Sequence, residues 1–402
     1  MARYEWKLPR PAPALLRGVL FAAAVAVAGI APPAGAAPVV ADCPNARTPY
    51  SSDTMLIDLE LDPRAKAVLD EQGFLKGAPL PAIMIRPTSP TLAALMTPRW
   101  LLVSAPKVIG LFGGRSASPE TLAALDRALA AIPITDAAAM ARCARYDHIP
   151  PVLTPPDHHP AILVFEKITG FRDGPSVDAA HKAFADMAAR RGWSINFTDN
   201  GAVFNLAQLK AYDAVVWNNV SGDALTVPQE KAFKRYLSDG GGFAGVHGSG
   251  GDFIYVWSWY PNTLIGARFL GHTANPQFQS GTVVVESPKT GIVAHLPDRW
   301  TMTEEWYSFT SSPRKNGVHV LAHLDESTYH PGAIAMGDHP IAWSHCLGNG
   351  RAFYTAIGHR PESYTEPNSL ELLEQGVAWA AGVGDTRCKA GREIGASAPV
   401  GQ

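Results

Sequence analysis

From residue 161 to residue 246 short, continuous apolar runs alternate with amphipathic stretches, and no other feature of the chain narrows its fold as much. Ala161-Ile-Leu-Val-Phe165 contains no polar residue, the composition of a strand buried on both faces. Asp178 to Arg191 (DAAHKAFADMAARR) spaces its apolar positions at the helical period and stops at Gly192. Ser194 to Thr198, a loop with a short helix near Leu206 to Tyr212, Ala214 to Trp217, the helix Pro228 to Asp239 and Gly242 to Val246 repeat strand, helix, strand. Strands alternating with helices build a parallel sheet covered on both faces, so the expected class is α/β with a doubly wound, mainly parallel sheet. Runs at Thr282 to Glu286, Val318 to His323, Ile341 to His345 and Arg351 to Ile357 extend the sheet, and Ser369 to Ala380 is a closing helix.

Upstream, the pattern changes. Asp62-Pro63 opens Arg64 to Glu71, and Ser118-Pro119-Glu120 opens Thr121 to Ile132, each a cap followed by proline at the first helical position and then apolar residues at helical spacing. A Pro-rich stretch, Ile149 to Pro156, separates this part from the α/β part and reads as a stiff extended linker. At the very start, Arg3, Lys7, Arg10 and Arg17 precede the apolar run Gly18 to Ile30, and Ala34-Gly35-Ala36 follows Pro32-Pro33. That is the order of a secretory leader, and a run of thirteen is short of the ~20 residues that a membrane span needs. The expected organisation is a leader over 1–36, a small helical domain over 37–148, a linker over 149–159, an α/β domain over 160–384 and a tail over 385–402. The expected location is the periplasm or the outside of the cell, with no stable membrane anchor after cleavage.

Charge and cysteine content agree with that. The chain has 34 Lys+Arg against 36 Asp+Glu, so it lacks the basic excess that neutralises a phosphate backbone, and nucleic acid is not an expected partner. Only 17% of residues are charged, which excludes a long disordered polyelectrolyte and fits a large buried sheet. An oxidising compartment favours pairing of the four cysteines. Their distribution suggests Cys43 with Cys143 and Cys346 with Cys388, one bridge in each folded part. No Cys-x-x-Cys occurs, so a redox motif or thiolate zinc site is not supported.

In an open α/β sheet ligands bind beyond the carboxyl ends of the strands. The strand ending at Val246 delivers His247 into Gly248-Ser249-Gly250-Gly251, a turn rich enough in glycine for a tight strand-to-helix elbow. Histidine occupies the elbow, so acyl transfer through a Cys or Ser nucleophile lacks its nucleophile there, and Ser249 lies two residues past the corner. Nine of the thirteen histidines fall between 241 and 364, with His247, His272, His345 and His359 at ends of apolar runs or beside glycine. Any one of them taken alone is more often an ordinary core or surface residue than a site residue. A metal needs three or four converging ligands, and no His-Glu-x-x-His helix occurs, so neither a metal nor a cofactor is expected. Glu304 and Glu305 stand among aromatics, and on a strand they point to opposite faces, so one of them faces a pocket. Trp257, Trp259, Tyr260 and Tyr307 suit the C–H faces of sugar rings, although core packing also explains such residues. Thr169-Gly-Phe171-Arg172, after the first strand, offers backbone N–H groups and a guanidinium to an anionic oxygen, unless Arg172 is merely paired with Asp173.

Taken in order, Thr169-Gly-Phe-Arg172, Tyr212-Asp-Ala-Val-Val-Trp217, Gly240-Gly-Gly-Phe-Ala-Gly-Val-His247, Trp257-Ser-Trp-Tyr260, Gly271-His272, Glu304-Glu-Trp-Tyr307, His339-Pro-Ile-Ala-Trp343 and Gly350 to His359 resemble the ThuA-like (trehalose utilisation) family over residues 160 to 384. The resemblance implies a flavodoxin-like, class I glutamine amidotransferase-like fold without the elbow cysteine, and a link to catabolism of disaccharides or their 3-keto derivatives. Where the family commonly has His after Gly-Phe-Arg, this chain has Asp173. Residues 48 to 71 also resemble a helical accessory module of some exported carbohydrate-active hydrolases.

The leading expectation is an enzyme acting on a keto-disaccharide or related glycoside, with a small-molecule carbohydrate as its partner. His247 takes a proton beside the carbonyl, a step suited to a side chain whose reference pKa is about 6.5. Glu305 or His359 is the acid partner, and Arg172 stabilises the enolate. Isomerisation, epimerisation and eliminative cleavage share this first step. Expected substrate contacts are Thr169, Phe171, Arg172, Trp257, Trp259, Tyr260, His272, Tyr307 and His345. Two rivals stand beside it, a non-catalytic carbohydrate-binding protein with a relic elbow and a metal-dependent hydrolase. Glutamine amidotransferase activity lacks its thiolate at 247, and a homo-oligomer is left open.

Overall fold

The computed structural model describes residues 40–72, 85–105, 118–286, 288–289 and 291–384. The expected leader over 1–36, Cys388 and the tail over 385–402 lie outside the described residues. Among the described residues no helix is long and apolar enough to cross a membrane.

The apolar runs become strands. β1 (Ala161–Phe165), β2 (Ser194–Thr198), β3 (Ala214–Asn218) and β4 (Gly242–Val246) pair in parallel, in the order β2-β1-β3-β4. β11 (Gly350–Thr355) continues the parallel set beside β4. Beyond it β10 (Pro340–Leu347), β9 (His319–Asp325), β6 (Gln279–Val285) and β7 (Arg299–Glu304) add antiparallel, completing a nine-stranded sheet. β5 (Phe269–His272) and β8 (Tyr307–Phe309) form a separate antiparallel pair. The fold is the expected α/β one, and its second half is antiparallel: among the described residues only short turns, and no crossover helix that would bring the chain back to run in the same direction, link the strands from β6 to β10.

Helices form where the sequence places caps. In the N-terminal part α1 (Leu56–Leu61), α2 (Pro63–Glu71), α3 (Pro98–Val103), α4 (Pro119–Ala130) and α5 (Asp136–Cys143) are short. Asp62, Thr97, Ser118 and Thr135 each accept a backbone N–H from the first turn of the helix that follows. On the sheet, α6 (Gly174–Arg191) is capped by Asp173 and ends at Gly192 with a left-handed φ of 65°. α7 (Leu206–Leu209), α8 (Val227–Ser238) and α9 (Pro367–Ala380) follow.

The described residues all fall within one compact unit. Within it two large apolar cores are distinct, one around the sheet and one built from Tyr50, Leu56, Leu59, Trp100, Leu101, Leu125 and their neighbours. The second core is closed by Phe253, Ile254 and Val256 from just beyond the elbow, with Trp100 and Phe253 rings 4.3 Å apart. Cys43 and Cys143 form a disulfide, tying the first described residues to the end of α5. Cys346 is also disulfide-bonded.

Candidate active site at the carboxyl ends of β4, β7 and β11

The elbow forms as its glycines require. His247 adopts a left-handed φ of 37°, a conformation that a residue with a Cβ holds only when its surroundings enforce it. Three contacts do so: the Tyr354 hydroxyl donates to His247 O at 2.9 Å, Gly248 N donates to Asn219 Oδ1 at 3.1 Å, and His247 Nδ1 lies 2.8 Å from Ala356 O. Gly250 is obligatory because a Cβ there would sit 2.4 Å from the Tyr354 hydroxyl. Ser249 is spoken for structurally. Its hydroxyl donates to Trp217 O and accepts from Val220 N, so it offers no free nucleophile.

Glu304 and Glu305 depart from the strand geometry read from the sequence. β7 ends at Glu304 and β8 starts at Tyr307, so the pleat is interrupted and both carboxyls turn inward, 0% and 2% exposed. Glu304 is a structural staple. It accepts from Glu305 N at 2.8 Å and Gly358 N at 3.1 Å, and also bonds the Ser363 hydroxyl. Burial pushes its pKa up, against the charge of His247 and these hydrogen bonds. Glu305 faces three imidazoles, with His359 Nδ1 at 3.0 Å, His272 Nδ1 at 3.3 Å and His247 Nε2 at 3.5 Å. Burial opposes its ionisation, but hydrogen bonds from His247 and His359 and the charges of His247 and His272 outweigh burial and hold the carboxyl far below the usual carboxylate range. For His359 burial acts downward, yet Glu305, Asp173 and Glu304 bring its pKa above the ordinary value.

The structure therefore brings together His247, His272, Glu305 and His359. Tyr307 joins them, its ring 4.0 Å from that of His247. Gln277, Phe278 and Asp173 complete the surroundings and were not read from the sequence as site residues. Gln277 Nε2 donates to Glu305 Oε1 at 2.5 Å, and Phe278, 38% exposed, stands 5.3 Å from the His359 ring. Asp173 contributes its charge at His359, and the Ser176 hydroxyl lies against both the Asp173 carboxylate and the His359 carbonyl. The signal for Asp173 was its place beside Arg172; nothing local marks Gln277 or Phe278.

Other expected contacts lie elsewhere. Arg172 is paired with Asp178 at 3.3 Å and lines an open groove with Glu166, Lys167 and Asp199. The Thr169 hydroxyl donates to Asp223 O. Phe171 is 46% exposed, its N–H donated to Ser221 Oγ. Trp257 and Trp259 stack on each other at 5.0 Å under Lys234, and the Tyr260 hydroxyl donates to Ser249 O, behind the elbow. His345 pairs with Ala352 on the early part of β11, away from the strand ends, its Nε2 3.1 Å from Thr263 O.

Asp252, just past the elbow, ties two loops together. It accepts from Ser221 Oγ and Gly222 N, both at 2.7 Å, and Ser221 Oγ in turn holds Phe171 N. Burial, opposed by these two hydrogen bonds and helped by the charge of Asp223, pushes its pKa up to about 7. A carboxyl whose folded pKa exceeds its unfolded one binds more protons when folded, so its contribution to stability falls as pH rises from about 4 to 7. Asp252→Asn, which cannot ionise, is expected to reduce that fall in urea unfolding measured across this range. An unchanged pH dependence would remove the assignment.

A family profile described as ThuA, trehalose utilisation, matches residues 161–380. Among solved structures, a ThuA-like protein from Bacteroides uniformis is similar at 24% identity over 55% of this chain and 90% of that one, with a TM-score of 0.48. A ThuA-like protein from Parabacteroides merdae is similar at 18% identity over 56% and 92%, with a TM-score of 0.43. A β-galactosidase from Bacillus circulans is similar at 15% identity over 55% of this chain and 31% of its own, with a TM-score of 0.36. No curated protein matches the chain significantly.

Proposed function

The chain belongs to the ThuA (trehalose utilisation) family, and from that premise we propose that it is an exported enzyme of carbohydrate catabolism that removes a proton beside the carbonyl of a keto-disaccharide. The observation that carries this reading is one buried carboxylate, that of Glu305, held among three histidines at the strand ends. Such a cluster moves protons and stabilises negative charge on a substrate oxygen, the two needs of an enolisation. The Cys43–Cys143 disulfide supports the exported part of the reading.

Geometry favours His272 over His247 as the group that takes the proton. His247 is 3% exposed and its Nε2 faces Glu305 and His359. His272 is about a third exposed, and its Nδ1 lies 2.8 Å from Thr273 O. A carbonyl only accepts, so the neutral ring carries its proton on Nδ1 and presents the Nε2 lone pair. His247 and His359, held against Glu305, supply positive potential for the enolate oxygen. The aromatic face of Phe278 at the rim suits the C–H face of a sugar ring.

The test is incubation in D2O with a panel of native and 3-keto disaccharides, read by NMR and mass. The wild type is expected to exchange the proton beside the ketone and to consume keto substrates. His272→Ala is expected to slow exchange by about 10²- to 10⁴-fold. Retention of exchange in that variant would reassign the base. Binding of unoxidised sugars with no product from any keto sugar would replace the enzyme by a carbohydrate-binding protein.

A further inference from the structure

His247 Nε2, Glu305 Oε2 and His359 Nδ1 converge from three separate segments, and among the described residues they are the three ligand-type side chains whose atoms lie within 4.8 Å of one another. The edges of the triangle are 3.5 Å from His247 to Glu305, 3.0 Å from Glu305 to His359 and 3.2 Å from His359 to His247. A four-coordinate zinc-class ion with bonds of about 2.0–2.1 Å sets its ligand atoms roughly 3.3 Å apart.

With His247 neutral, protons alone satisfy these three atoms poorly; protonated, its Nε2–H donates to Glu305, and a cation would take the place of that proton. The Ala356 carbonyl accepts the Nδ1 proton of His247, so the neutral ring turns a lone pair towards the triangle. Glu305 Oε2 offers only lone pairs when ionised. One Nδ1–H from His359 serves one of these neighbours well and leaves the other lone pair facing its like. A cation accepts all three at once.

The surroundings have the form of an outer shell. The hydrogen bond from His247 Nδ1 to a backbone carbonyl is the one that orients a ligating imidazole. Gln277 and His272 engage Glu305 Oε1, which leaves Oε2 turned to the triangle. Asp173 and Glu304 add negative potential at His359. Two imidazoles and one carboxylate, without thiolate, suit a borderline divalent ion better than calcium or magnesium, which take oxygen ligands.

We propose that His247, Glu305 and His359 hold one divalent transition-metal cation, with at least one coordination position left for water or a substrate oxygen. The inference rests on the reading of this cluster as the reaction centre, and it names the group that polarises the substrate carbonyl there while His272 takes the proton.

The test uses the exported chain stripped with EDTA and titrated with Co²⁺ and Zn²⁺, followed by calorimetry and by the visible absorption of bound Co²⁺. One ion per chain is expected, with micromolar or tighter affinity and the strong absorption of a four- or five-coordinate cobalt site. Glu305→Gln and His247→Ala are expected to weaken binding at least about 100-fold, whereas His323→Ala, on β9 and paired with Glu286, leaves it unchanged. Circular dichroism establishes that each variant is folded, and the wild-type titration is decisive by itself. A wild type that binds no stoichiometric ion overturns the proposal, as does binding unmoved in folded Glu305→Gln. A stripped chain that binds no ion but still exchanges the keto-sugar proton removes the metal and leaves the proposed function. Stoichiometric binding with no turnover of any sugar does the reverse.

Discussion

Glu305→Gln is expected to lower turnover of a keto-disaccharide by at least about 10³-fold while leaving the fold intact. The substitution keeps the shape of the side chain and removes the charge that faces His359 at 3.0 Å, His272 at 3.3 Å and His247 at 3.5 Å. An amide must also present a donor where the carboxylate only accepts, and Gln277 Nε2 already donates to Oε1. Three imidazoles thus lose the group that orients them, whichever of protons or a metal ion they hold. The loss falls on kcat, because the carboxylate serves charge that develops during the reaction. NMR titration gives a second readout: without Glu305 the pKa of His359 is expected to move down, since the carboxylate is the main partner raising it. Turnover within about tenfold of wild type would show that the cluster is not the reaction centre.

Trp343→Ala is expected to produce the largest loss of stability, about 3–5 kcal/mol in urea unfolding. Trp343 is 0% exposed in the middle of β10 and packs against Phe309 and Tyr354, with centroids 5.3 Å and 4.8 Å away. Its Nε1 donates to Ile265 O at 2.7 Å, so truncation leaves both a large cavity and a buried carbonyl without its partner. The effect reaches the site, because Tyr354 carries the hydroxyl that holds the His247 carbonyl. Trp343→Phe, which fills part of the space but cannot donate, is expected to fall between. A cost below about 1.5 kcal/mol for the alanine variant would mean that the neighbours close the cavity.

The sheet was legible where local pattern and tertiary burial coincide. β1 runs over the residues that its apolar run marks, because a strand covered on both faces must be apolar throughout, whereas the edge strand β2 (SINFT) alternates apolar and polar residues. The capped helices α2 and α4 begin at their Asp-Pro and Ser-Pro signals, since caps satisfy backbone donors locally. β5 and β8 were not legible. They are four and three residues long, and what holds them is each other across the fold. For the Glu304–Glu305 pair, only Glu305 faces the histidines, as expected, but the strand geometry behind that expectation does not hold. Period-two alternation assumes an unbroken pleat, and the chain breaks its pleat at that point to bury both carboxyls.

The sequence by itself determined the family, the α/β class and the elbow with histidine at its corner, and it marked His247, Glu305 and His359 as candidates near strand ends. Only the tertiary structure decided that these three meet, that His272 and Gln277 join them on the Glu305 carboxylate, and that Arg172, His345 and the Trp257–Tyr260 aromatics do not. His247 and His359 are 112 residues apart in sequence and 3.2 Å apart at their nitrogens. Periodicity and capping are set by neighbours along the chain, so they are written locally. The direction of a side chain past a strand end depends on which strands lie side by side, and β4 and β11 become neighbours only when the sheet closes around its core.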